Sequence, residues 1–160
     1  MTGIARKRSA NRYDEQRQMG IAAGFLMQKG DFRPRLAETL EHFEPAIWHR
    51  QVMYFQDDYG LLCAIAVYAT LTERVERKML ADRGFTLHDT EWNEGERYWI
   101  LAVAVRRRGL RAALRSLRAE MAKLTDVVHF RRTRPDRTAG RAWAIQTRGD
   151  LRPRHLDDAV

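Results

Sequence analysis

WNEGERYWILAVAVRRRGLRAALRSLRAEMAKL, running from Trp92 to Leu124, is the stretch that decides how this chain folds. Tyr98 to Val105 is an unbroken apolar run of strand length, rich in aromatic and β-branched residues, and it predicts a strand buried on both faces. A basic turn ends it. From Gly109 onward Leu110, Ala113, Leu114, Leu117, Met121 and Leu124 recur at intervals of three and four, the spacing that lays one stripe of a helix on a sheet. Arg111, Arg115 and Arg118 share one side of that helix, beside the stripe. Strand, turn and helix together make a candidate anion cradle at Arg106, Arg107, Arg108, Gly109 and Arg111. Backbone N–H groups at the helix start, the helix dipole and the cationic side chains all favour a phosphate there. The competing reading is an ordinary solvated turn, because charge clusters are common on loops.

Working outward, Leu61 to Ala69 (LLCAIAVYA) is apolar throughout and predicts a second central strand. Val52 to Phe55 predicts its neighbour, and the acidic residues and glycine of Gln56-Asp57-Asp58-Tyr59-Gly60 suit a hairpin turn between them. Thr70 and Glu73 have capping-box spacing ahead of a helix with Leu71, Val75 and Met79 inward, closed by Gly84. Upstream, Arg12 to Lys29 predicts a helix with Met19, Ala22, Phe25 and Leu26 as its stripe. Pro34 suits the first turn of a second helix, with Leu36, Leu40, Phe43 and Ile47 on one face and His42 on the other. Downstream, Val127 to Arg132 and Ala142 to Gln146 predict two strands around the polar loop 134–140. The expected fold is α+β, a mixed β-sheet flanked by helices, in one domain spanning 1–160. Residues 1–11 read as a basic mobile tail and 148–160 as a frayed end.

The composition narrows the partners. The chain has 160 residues, 44% hydrophobic and 31% charged, which suits a folded globular protein. Its longest apolar run is too short to span a bilayer. Arg6, Lys7, Arg8 and Arg12 are followed by no apolar segment, so no secretory signal is read. Cys63 is the single cysteine, which excludes an internal disulfide and suits a core position in a cytoplasmic protein. A net charge of +8 and a pI near 10.2 attract polyanions, whether nucleic acid, an anionic membrane surface or an acidic carrier protein. A homodimer is left open. No C-x-x-C or H-x-x-x-H spacing suggests a metal, and no nucleophile elbow or Walker loop is present.

Two resemblances sit on these residues. The strand, basic turn and helix resemble the phosphate-binding unit of GNAT-type acyltransferases, whose turn runs Arg or Gln, two residues, Gly, one residue, then Gly or Ala. Arg106 to Gly109 supply the first four positions and Arg111 breaks the last. A GNAT-like sheet also has the element order predicted here. More widely, Pro45 to about Ala144 is similar to the RTX toxin-activating lysine acyltransferases, the hemolysin-activating family. The residues that carry this are Pro45-Ala46-Ile47; Ala66, Ala69, Leu71, Thr72, Glu73 and Glu76; Leu80 and Asp82; and Trp92, Gly95, Arg97 and Trp99. The resemblance implies transfer of a fatty acyl group from acyl carrier protein, or alternatively from acyl-CoA, to a lysine of an RTX-type protoxin in the cytoplasm, with no resident cofactor. It departs at the family's catalytic pair. Aligned on Trp99, the aspartate position falls on Ala102; aligned on Pro34, the histidine position falls near Gly30, with Asp31 the closest polar residue.

Amine acylation needs a route for the lysine proton. His49 and His42 lie closest to the missing histidine and are, with Asp31, the candidate catalytic groups. Their competing reading is as surface or capping residues. Asp57 and Asp58 read as turn-solvating acids. Asp89, Glu91, Glu94 and Glu96 form an acidic loop that either solvates itself or approaches a lysine. Trp92 and Trp99, with Ala102, are candidates for an acyl channel, against a plain packing role. Two further functions fit the same residues: a non-catalytic basic module that binds acyl carrier protein or nucleic acid, and an acetyl-CoA-dependent N-acetyltransferase of GNAT type.

Overall fold

The computed structural model of the chain describes residues 12–28, 43–82, 84–106, 110–132, 141–148 and 154–155. In chain order these form α1 (Arg12–Met27), a helical segment at 43–48 (α2), β1 (Val52–Gln56), β2 (Leu62–Leu71), α3 (Glu73–Ala81), a 3-10 turn (Asp89–Trp92), β3 (Arg97–Val105), α4 (Leu110–Met121), β4 (Val127–Arg132), β5 (Arg141–Gln146) and β6 (Arg154–His155). The fold is α+β, as expected, with a mixed sheet in the order β1-β2-β3-β4-β5-β6. β1 and β2 are antiparallel, β3 and β4 parallel, and β4, β5 and β6 antiparallel. The parallel step follows from connectivity: α4 is the crossover that returns the chain in the same direction. No helix among the described residues is long and apolar enough to cross a membrane.

The chain divides into two compact units, Met1–Val67 with Ala102–Leu117, and Tyr68–Leu101 with Arg118–Val160, so that β2 and β3 run through both. In the first, Ala22, Phe25 and Leu26 of α1, Phe43, Ala46 and Ile47 of α2, and Ala64 to Val67 of β2 are buried. The α1 stripe expected from the sequence is therefore the one that packs. α2 ends in a double hydrogen-bonded reversal: Gln51 N donates to Ala46 O (2.7 Å) and Arg50 N to Ile47 O (3.0 Å). That closure demands a left-handed residue, and Arg50 supplies it at φ 58° where glycine is usual. The β1–β2 turn is closed by Gly60 N donating to Asp57 O, with Gly60 at φ 75°. Asp57 does more than solvate this turn: its Oδ1 accepts from the N–H groups of Tyr59 (3.0 Å) and Leu61 (2.9 Å).

In the second unit α3 starts two residues later than the Thr70 spacing predicts. Thr72 is its cap, accepting from Val75 N, because Thr70 and Leu71 still belong to β2. The helix stops at Ala81, capped by Asp82 rather than Gly84. At the other end of the sequence the expected frayed tail contains a strand: Arg154 and His155 pair with Ala144 and Trp143. Backbone hydrogen bonds hold this two-residue β6, and a pairing so short leaves no periodicity in the sequence.

β3 is less buried than its composition predicts, since Val103 is 40% exposed. The α4 stripe is likewise split. Ala113, Leu117 and Met121 are buried, whereas Leu110 and Leu114 lie about half exposed.

Candidate functional site

Arg106 is the fixed point of the predicted cradle. Its backbone N–H donates to Cys63 O at 2.9 Å, which anchors the end of β3 beside β2. Its guanidinium donates to Gln28 Oε1 at 2.8 Å and lies 5.7 Å from the centre of the Phe25 ring, so the end of α1 holds an exposed cation in place. α4 begins at Leu110 with no acidic residue in its first turn, and Arg111 is exposed on it. Arg107, Arg108 and Gly109 lie outside the described residues. Nothing local in the sequence marks Gln28, a glutamine at the end of one helix, as the partner of an arginine far along the chain.

The three proposed proton acceptors fare unequally. His42 and Asp31 lie outside the described residues. His49 is half-buried in the turn that follows α2, before β1 begins, its backbone N–H donating to Pro45 O at 2.9 Å. The Cys63 thiol donates to Phe55 O, and burial pushes its pKa up, with the Asp57 charge adding and Arg106 opposing. Such a thiol is packing, not a nucleophile.

Within the second unit four of the residues that carry the family resemblance, Glu76, Gly95, Arg97 and Trp99, make contacts that join its elements. Glu76, 4% exposed on α3, accepts from the Trp99 indole N–H at 2.8 Å and pairs with Arg97 Nε at 2.5 Å. Gly95 N donates to Thr70 O, and a Cβ at Gly95 would overlap the Leu71 carbonyl and Thr72 N. Glu76, Arg97 and Trp99 thus lock α3 to β3, and Gly95 seats the loop before β3 against the end of β2. Of the acyl-channel candidates, Trp92 and Trp99 are 2% and 1% exposed and Ala102 is half-buried on β3.

His129 joins this cluster, although nothing in its local sequence separates it from the other histidines. The parallel register sets it opposite Trp99, and its ring stacks on the indole at 5.3 Å and 21°. Nδ1 lies 3.2 Å from Tyr98 O; a carbonyl only accepts, so Nδ1 carries the hydrogen of the neutral ring. Burial lowers the pKa of the imidazole, the nearby Glu76 carboxylate and the Tyr98 hydrogen bond oppose that shift, and Arg97 reinforces it. In the acidic loop His88 N donates to Glu91 Oε2 at 3.0 Å and the His88 ring caps the 3-10 turn, while Asp89, Glu94 and Glu96 are exposed.

No family model matches the chain, and no curated protein matches it in sequence. Two solved structures are similar in chain path. One, from Corynebacterium glutamicum ATCC 13032, is described as a histone acetyltransferase HPA2 and related acetyltransferase; it has a TM-score of 0.46 and 15% identity, over 83% of this chain and 77% of that one. The other is a GNAT-family acetyltransferase from Listeria monocytogenes 4b F2365, with a TM-score of 0.42 and 12% identity, over 84% of this chain and 78% of that one.

Proposed function

We propose that the chain is an acyltransferase of GNAT type that draws its acyl group from a phosphopantetheine thioester. The finer reading is the one implied by the family resemblance: transfer of a fatty acyl group from acyl carrier protein to a lysine of an RTX-type protoxin, in the cytoplasm, with acyl-CoA as the alternative donor. The observation that carries it is Arg106, an exposed cation immobilised by Gln28 and Phe25 at the end of β3, four residues before an α4 N-terminus whose first turn has no acid. A phosphate there would meet a positioned guanidinium, Arg111 and the positive end of the helix.

In the proposed step the neutral Nζ of the acceptor lysine attacks the thioester carbonyl. A C–N bond forms, the C–S bond breaks, and the pantetheine sulfur leaves as thiolate and is protonated. The proton lost from nitrogen goes to a base, the role proposed for His49, with His42 and Asp31 as alternatives.

A second reading, a non-catalytic module that binds the same acidic carrier or nucleic acid, is favoured by Ala102, a methyl group at the position where the resemblance implies an aspartate. Acetyl-CoA-dependent N-acetyl transfer is the third. Intact-mass spectrometry separates them. The chain is mixed with long-chain acyl carrier protein and a lysine-containing acceptor, and in parallel with acetyl-CoA. Loss of acyl from the carrier with a matching gain on the acceptor supports the first reading. Tight carrier binding without transfer supports the second, and transfer from acetyl-CoA alone the third.

A further inference from the structure

We infer that the exposed side of the first two turns of α4 docks an acidic amphipathic helix of a partner protein, with Leu110 and Leu114 as apolar anchors and Arg111 and Arg115 as charge partners. The inference rests on the proposed function for the partner tried first, an acyl carrier protein, and it assigns that partner a surface.

Leu110 and Leu114 are 52% and 46% exposed and stand one turn apart on the same side of the helix. Arg111 and Arg115 form the adjacent row and are exposed. Neither has an acid at three or four residues in either direction, where the sequence places only Arg, Leu and Ala, and neither makes an ion pair among the described residues. One exposed leucine is ordinary; two in register beside two uncompensated arginines form an apolar anchor with a charged rim.

The geometry selects the occupant. Nucleic acid would use the arginines and gain nothing from the leucines. A membrane-lying helix carries its apolar row in the middle with basic rows on both sides. Here the row on the other side, Ala113 and Leu117, is buried. A leucine row edged by cations on one side only fits a helix laid alongside, with its own apolar residues at i and i+4 and acids in the next row.

The test uses apo acyl carrier protein, which lacks the phosphopantetheine arm, titrated against the full chain and the variants Leu114→Asp and Arg115→Glu, neither of them in the cradle. Both positions are exposed, and thermal unfolding checks that each variant is folded. The expected result is binding of the apo carrier, weakened at least about tenfold by either substitution. Binding of holo but not apo carrier overturns the docking surface while leaving the donor reading intact. Apo binding that both variants retain overturns it as well, and so does loss of binding to phosphatidylglycerol vesicles in the variants with carrier binding unchanged. Apo binding lost in the variants, with no acyl transfer by the wild type, upholds the surface and removes the enzymatic reading.

Discussion

Two residues of the second unit show how a single position acquires its constraint. Gly95 is required for space: any side chain would drive a Cβ into the backbone at Leu71 and Thr72. Gly95→Ala is expected to destabilise the chain by about 3 kcal/mol, at the upper end for overpacking, because backbone yields less readily than a flexible side chain. Urea unfolding measures it, and a loss under about 1 kcal/mol contradicts that packing. His129 is constrained electrically. Its pKa is lowered in the folded chain from the ordinary 6.5, burial being the largest cause, so the unfolded chain takes up a proton that the folded one refuses. Its contribution to stability is therefore full above pH 6.5 and is lost as pH falls from there toward the folded pKa, at up to about 1.4 kcal/mol per pH unit. Thermal unfolding between pH 7.5 and pH 5 should show this slope in the wild type and a shallower one in His129→Gln; parallel slopes would contradict it. Neither constraint is visible locally, because Gly95 meets β2 and His129 meets Trp99 only across strands.

Among the elements, α3 carries a partner at each end. Thr72 caps its start and Arg131 reaches from β4 to its finish, donating to Met79 O at 2.6 Å. The first is local, so the sequence came within two residues of it; the second depends on β4 lying under the helix end. A cation on the last carbonyls also complements the helix dipole. Arg131→Met keeps most of the apolar stem and removes the donor, and it is expected to cost about 1 kcal/mol, or about 2–4 °C in Tm for a chain of this size. Thr72→Ala is expected to cost a similar amount. The two losses should add in the double variant, since the helix ends are separate; strong non-additivity by calorimetry would show the ends to be coupled.

Over the whole molecule, a net charge of +8 should govern encounter more than residence. Stopped-flow association with acyl carrier protein is expected to slow at least about tenfold between about 0.05 and 0.5 M salt, with a smaller change in dissociation. A salt-independent on-rate would remove steering from the proposal. The α+β class, strands β1 to β5, helices α1, α3 and α4, and the α1 stripe were legible in the sequence because period and propensity are properties of neighbours along the chain. The short β6, the exposure of Leu110 and Leu114, the anchoring of Arg106 by Gln28 and Phe25, and the stack of His129 on Trp99 were decided only by tertiary structure. Each depends on which strand lies beside which and on how far a helix extends past its support, and burial and electrostatics act through space with no regard for distance along the chain.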